Sequence, residues 1–244
     1  MAWDAAAARL CDHVASSGSK GVLEQGWSAI DGALGTEWAR SLAAECRQLE
    51  EAKLLQPHRF EFADAQSGER CEYRHDGRSF VDLDRNRISA EVAAATPLLA
   101  AFAARHAPQL AVALASRVPS LGLVGWVVAR CADLEACSEV SDAEEAVDAV
   151  QVKLQLTRGV HGCAPWHFDT STSASSRQLT LLIYLSEDWA DDMGGELQLQ
   201  PFLQEAVSFR PSFDRGILFL ADRLLHRSLP PRGRGAETGR WLLT

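Results

Sequence analysis

The apolar positions of this chain follow two different periods. Between residues 36 and 51, Trp38, Leu42, Cys46 and Leu49 recur at helical spacing, with Glu45, Arg47, Glu50 and Glu51 on the other side. That spacing predicts a helix opening at Gly35-Thr36, with Thr36 as its cap. Just before it, GWSAIDGAL reads as a short strand entering a turn, and RFEFADAQSGERCEYRHDGRSFVDLD as one or two strands around polar loops. Thr96-Pro97 and Ala107-Pro108 each place a proline where a first helical turn tolerates it, so each is expected to open an Ala/Leu-rich helix. The stretch ADLEACSEVSDAEEAVDA is acidic and reads as a surface insertion. After residue 150 the period shortens. VKLQL, QLTLLIYLSE, GELQLQP, AVSFRP, RGILFLAD and RWLLT are short β-rich runs separated by Gly, Pro, Asp and Ser clusters. The pattern predicts an α+β, mainly β fold: one domain over residues 1–244, with a jelly-roll core at 150–244 packed on a strand-plus-helix support region at 1–149.

Composition narrows the function classes. With 47% apolar residues in 244, the chain can bury one sizeable core. A net charge of -9 leaves no general basic surface for phosphate backbones, which argues against nucleic-acid partners. The most apolar region, Ala93 to Ala129, is broken by Arg105, His106, Pro108 and Arg117 before the roughly 20 residues a membrane span needs, so no membrane partner is expected. The opening MAWDAAAARLCDHVASS has no apolar run of signal-peptide length. Six cysteines without a C-x-x-C pair read as reduced thiols, and the expectation is a cytoplasmic or nuclear protein.

Candidate chemistry begins at APWHFDTS. Residues two apart on a strand share a face, so His167 and Asp169 can aim at one point while Phe168 turns away. In a chain with seven histidines a lone His-x-Asp is a weak signal. A third candidate strengthens it: His226 follows the strand RGILFLAD and the turn Arg223-Leu224-Leu225. Two histidines and one carboxylate form the facial set that holds non-haem iron(II) and leaves adjacent positions open, here for the keto-acid end of 2-oxoglutarate and for dioxygen. The far carboxylate of that cosubstrate needs a cation, for which Arg240 in the terminal run RWLLT is the candidate, and Tyr184 in LLIYLSED can add a hydrogen bond. His161, in a Gly-bounded loop, is set aside as a ligand. Trp166 and Trp189 read as core or rim aromatics and Cys163 as a small buried residue. His58, His75 and His106 are expected outside the β core.

WHFDTSTSASSRQLTLLIYLSEDWADDMGGELQLQP, followed by FDRGILFLADRLLHRSLPP and RWLLT, resembles the 2-oxoglutarate and iron(II)-dependent dioxygenases, and within them the prolyl 4-hydroxylase-like branch. GWSAIDGALGTEWARSLAAECRQLEEAKLL resembles, more loosely, the strand-plus-helix opening of the hypoxia-type prolyl hydroxylases. The resemblance implies a double-stranded β-helix with an amino-terminal helical support layer. It implies iron(II) held by His167, Asp169 and His226, 2-oxoglutarate and dioxygen as cosubstrates, and ascorbate as reductant. It assigns Arg240 and Tyr184 to the distal carboxylate of 2-oxoglutarate. The retained carboxylate at Asp169 favours hydroxylation over halogenation, and the implied substrate is a Pro-containing peptide or protein. Two alternatives stay open: hydroxylation of a free amino acid, another side chain or a small metabolite, and a silent metal-binding interaction module of the same fold. The chain also departs from the family. The spacing from His226 to Arg240 is 14, with Arg232 and Arg234 nearer, and Thr157 stands where hypoxia-type enzymes carry a tyrosine. The polar loops from Arg59 to Arg78 are the candidate substrate flap.

Overall fold

A computed structural model of the chain describes residues 2–63, 67, 70–84, 87–117, 150–169 and 177–244. The strands are β1 (Trp27–Asp31), β2 (Gln56–Ala63), β3 (Arg70–Asp82), β4 (Lys153–Thr157), β5 (Ala164–His167), β6 (Leu179–Tyr184), β7 (Leu197–Gln200), β8 (Val207–Phe209), β9 (Arg215–Leu220), β10 (Leu225–Ser228) and β11 (Arg240–Leu243). They form two antiparallel sheets, a larger one ordered β1-β9-β6-β11-β4-β3-β2 and a smaller one ordered β5-β10-β7-β8. The fold is a jelly roll. Three strands of the larger sheet, β1, β2 and β3, precede residue 150, so that sheet is shared between the two halves of the sequence.

The period-two pattern sorts side chains onto two cores. Ile183 and Leu185 of the β6 region, with Trp241 and Leu243 of β11, join the helical layer, whereas Leu182, Tyr184 and Leu242 fill the space toward the smaller sheet with Leu197, Leu199 and Phe219. The helical layer contains α1 (Ala2–His13), which passes through a π turn at Val14–Gly18 into α2 (Ser19–Gln25). It continues with α3 (Thr36–Glu51), α4 (Ala90–Ala95), α5 (Pro97–Ala101) and α6 (Ala107–Arg117), and the short α7 (Arg234–Thr238) precedes β11. Among the described residues, no helix is long and apolar enough to cross a membrane.

Two local expectations change. Thr36 is the first residue of α3 rather than its cap; the cap position is Gly35, which makes no side-chain cap bond. The turn entering the helix is held instead by Asp214, whose carboxylate accepts the N–H groups of Leu34 at 2.7 Å and Gly35 at 2.9 Å. Glu45 does not face water. It is buried, and its two oxygens accept the N–H groups of Leu98 and Leu99, each at 2.8 Å, at the start of α5. Pro97 opens α5 and Pro108 lies in the first turn of α6, both as expected; the π turn Phe102–His106 joins the two helices, with the Ala107 N–H donating to the Phe102 carbonyl. The acidic stretch 132–149 lies outside the described residues. So does most of the tip of the β2–β3 hairpin, residues 64–66 and 68–69, which belongs to the expected flap.

Candidate active site

His167 ends β5, His226 is the second residue of β10, and the register pairs them directly, with ring centroids 4.2 Å apart. Asp169 is not on the strand with His167. It occupies the bend beyond β5, where its N–H donates to the Ala221 carbonyl at 3.1 Å, and its carboxylate therefore arrives from a turn rather than from the same strand face. The three side chains nevertheless converge as the spacing predicts, with their donor atoms all within 4.8 Å of one another.

Each imidazole is oriented by its own chain. His167 Nδ1 lies 2.7 Å from the Pro165 carbonyl and His226 Nδ1 lies 3.2 Å from the Leu224 carbonyl. Because a carbonyl only accepts, each Nδ1 carries the proton, and the lone pair of each Nε2 is left facing Asp169 Oδ1 at 3.5 Å. The other carboxylate oxygen, Oδ2, accepts the Thr180 hydroxyl at 2.6 Å and lies 3.7 Å from Arg177 Nη1. Burial opposes ionisation of Asp169, but its contacts with the His167 and His226 rings and the hydrogen bond from Thr180 overcome it and hold the carboxyl well below the usual carboxylate range. Burial likewise pulls the His167 imidazole down, and the Asp169 and Pro165 oxygens more than reverse that, leaving its pKa raised. Two imidazole nitrogens and one carboxylate oxygen, spaced at 3.5 Å along two edges, fit one face of an octahedron, for which ligands about 2.1 Å from an ion stand about 3 Å apart.

These groups border a cavity of about 330 Å³ whose lining includes Leu182, Tyr184, Leu197, Ser228, Arg240 and Leu242. Arg240 is 2% exposed. Its Nη2 donates to Ser228 Oγ at 2.6 Å and its Nη1 to the Gly195 carbonyl, while its Nε has no partner among the described residues. Burial lowers its pKa. Arg232 instead sits 3.7 Å from Glu196, Arg234 reaches the Asp188 carbonyl at 3.4 Å, and neither lines the cavity. The rigid terminal strand thus delivers a guanidinium where the Gly-rich loop does not. Tyr184 is 1% exposed and lines the same cavity, and burial raises its phenol pKa.

The remaining candidates separate. Trp166 lies at the rim with the Arg227 guanidinium 4.6 Å from its ring centre, whereas Trp189 is buried and donates its indole N–H to the Gly194 carbonyl at 2.8 Å. His161 is exposed and outside the converging set, Cys163 is a half-buried free thiol, and His106 packs edge-on to Trp38. His58 corrects an expectation. Rather than lying outside the β core, it sits on β2 opposite His75 and lines the cavity. Arg78 was also missed by the sequence reading: it lines the cavity from β3 and donates to Gln155 Oε1 at 2.5 Å. Nothing in the sequence tells which strand β3 pairs with.

Residues 154–244 match the model of the 2OG-Fe(II) oxygenase superfamily. No curated protein matches the chain in sequence. Among solved structures, a prolyl 4-hydroxylase from Phytophthora capsici superposes with a TM-score of 0.70 at 28% identity, covering 97% of this chain. The chain spans 63% of the length of that protein. A prolyl-4-hydroxylase from Pseudomonas putida gives a TM-score of 0.63 at 18% identity, covering 94% of this chain and 95% of the other. A Trichoplax adhaerens prolyl hydroxylase, solved in complex with a hypoxia inducible factor oxygen degradation domain peptide fragment, gives 0.59 at 17% identity, covering 96% and 88%.

Proposed function

We propose that this chain, a prolyl hydroxylase-like member of the 2OG-Fe(II) oxygenase superfamily through residues 154–244, hydroxylates prolyl residues of a protein or peptide. The observation that carries the reading is the convergence of His167, Asp169 and His226 at one wall of a cavity that also holds the buried Arg240. In this reading His167 Nε2, His226 Nε2 and Asp169 Oδ1 hold iron(II), and Thr180 keeps Oδ2 engaged so that Oδ1 stays aimed at the metal. Bound iron, with 2-oxoglutarate and dioxygen, supplies the oxidising power for hydroxylation and ascorbate keeps the metal reduced. Arg240 forks onto the distal carboxylate of 2-oxoglutarate, Tyr184 adds a hydrogen bond, and Leu182, Leu197 and Leu242 keep water from that end of the cavity.

The peptide complex of the Trichoplax adhaerens enzyme supports a peptide as substrate. The half-exposed Trp166 and Phe168 beside the triad offer apolar surface to one. The free thiols of Cys11, Cys46 and Cys163 suit the reducing cytosol or nucleus. A second reading, hydroxylation of a free amino acid or a small charged metabolite, is favoured by the cavity lining at Asp82, Asp84, Arg87 and Lys153. The test is succinate release with iron(II), 2-oxoglutarate and ascorbate, with and without a panel of Pro-containing peptides and of free amino acids. Mass spectrometry then locates the added oxygen. Turnover stimulated by a peptide, with oxygen on proline, is the expected result; stimulation by a small molecule alone transfers the assignment to the second reading.

A further inference from the structure

His226 is held less tightly by its own chain than His167 is. The contact from Nδ1 to the backbone carbonyl is 2.7 Å for His167 and 3.2 Å for His226, the second at the long end of the range for an N–H···O bond. Yet His226 is the more enclosed of the two, its side chain 6% exposed against 37% for His167. Much of that enclosure is aromatic. The His226 imidazole meets two rings, that of His167 with centroids 4.2 Å apart and that of Phe219 with centroids 4.7 Å apart at an interplanar angle of 58°.

Phe219 reaches the triad from the opposite sheet. It is fully buried on β9 and, with Ile217, faces the smaller sheet, whereas Leu218 between them faces the helical layer. Its register partners are Thr180 of β6 on one side and Trp27 of β1 on the other. Directly opposed residues of antiparallel strands share a face, so Trp27, Phe219 and Thr180 form one inward row of the larger sheet. That row supports two of the three converging groups. Phe219 lies against the His226 ring, and the Thr180 hydroxyl is 2.6 Å from Asp169 Oδ2. Trp27 anchors the far end of the row, its ring meeting Phe209 of β8 edge-on with centroids 4.9 Å apart.

The torsion that turns an imidazole about its Cβ–Cγ bond is broad, and one long hydrogen bond restrains it weakly. Rotation about that bond would swing His226 Nε2 away from Asp169 Oδ1, which it faces at 3.5 Å. A flat ring packed against the imidazole resists the rotation, because a core at crystal density leaves the neighbour nowhere to go and aromatic pairs favour particular tilted contacts. A leucine in its place occupies similar space but presents no such plane.

We propose that Phe219 is a positioning residue of the metal site, its ring fixing the plane of His226 so that Nε2 stays directed at the point shared with Asp169 Oδ1 and His167 Nε2. The inference rests on the oxygenase reading above. It is tested by titrating the metal-free full chain with cobalt(II), which nitrogen and oxygen donors of this kind bind and whose d–d absorption reports their arrangement. Phe219→Leu stays apolar and removes the ring; it weakens cobalt binding about two- to tenfold, the worth of an aromatic pair, and shifts the absorption of the saturated protein. Phe209→Leu makes the same exchange in the same hydrophobic cluster, two strands away from His226, and lowers the denaturation midpoint while cobalt affinity and absorption stay at wild-type values. Phe219→Met, whose flexible chain fills the space without a ring, takes the place of Phe219→Leu should that variant not fold. Wild-type affinity and absorption in the Phe219 variant, or equal changes in the Phe219 and Phe209 variants, overturn the inference. Failure of the wild-type chain to bind cobalt(II) overturns the oxygenase reading, and the inference with it.

Discussion

His226 and His167 face each other as a register pair of β10 and β5, and each ring is fixed by a carbonyl two residues earlier in its own chain. The orientation is therefore built by short local contacts and by strand pairing, with no metal required to assemble it. His167→Ala or His226→Ala is expected to abolish stoichiometric iron binding and turnover while the protein stays folded, since the two hydrophobic clusters do not depend on a metal as a zinc finger does. Metal analysis beside circular dichroism checks both halves. Near wild-type iron content in either variant would remove the triad.

Thr180 touches no metal in this arrangement, yet its hydroxyl is 2.6 Å from Asp169 Oδ2. Thr180→Val keeps the shape and removes the donor. Iron affinity or turnover should fall about ten- to hundredfold, the usual effect of losing a hydrogen bond behind a ligand, and Thr180→Ser should restore most of it.

In the proposed reading Arg240→Ala strips the distal carboxylate of its partner, and it should raise the 2-oxoglutarate requirement by roughly two to four orders of magnitude, corresponding to about 3 to 5 kcal/mol. Arg232→Ala and Arg234→Ala, which lie outside the cavity lining, should leave it unchanged. KM for 2-oxoglutarate in the three variants decides the matter, and a defect confined to Arg232 or Arg234 would reassign the anchor.

His58 predicts a pH dependence of stability. Burial, with the charges of Arg78, Lys153 and His75, pushes its pKa from 6.5 down to about 3. Between those values the unfolded chain binds a proton that the folded protein refuses, so this contribution is full above 6.5 and is lost as pH falls toward 3. Urea unfolding near pH 7 and near pH 5 should show a smaller pH loss in His58→Gln than in wild type. Equal losses would show that His58 titrates normally.

The triad was legible because its signals are local: His167 and Asp169 are two residues apart, and His226 follows a strand that announces itself in RGILFLAD. Arg240 was legible because RWLLT reads as a strand. Even so, the path by which Asp169 reaches the site was misread, since alternation alone does not reveal that β5 stops at His167. Arg78 and His58 were invisible for a deeper reason. They come from the first half of the chain through the β3–β4 pairing and a bulge, and long-range register is set by tertiary packing. Asp214 is a similar case: it steadies the entry to α3 from 179 residues away at Gly35, with no sequence signature for that contact.

That staple gives a further prediction. Asp214→Ala leaves the buried N–H groups of Leu34 and Gly35 without their acceptor and should cost about 1 to 3 kcal/mol per lost bond. Chemical denaturation should show the loss, with iron binding retained in the folded fraction; an unchanged midpoint would mean that water replaces the carboxylate.

Strand β11 has a consequence for the birth of the molecule. It is the last of the described strands in sequence order, yet it lies inside the larger sheet between β6 and β4. On a ribosome, β4 and β6 emerge first and must wait with facing backbone edges unpaired, a state open to wrong pairings with other chains. The buried Arg240 arrives with the same strand that closes the gap. On the reading proposed above, a nascent chain therefore gains its sheet and its anchor for 2-oxoglutarate together, and truncation before Arg240 should yield aggregation rather than a weakened enzyme.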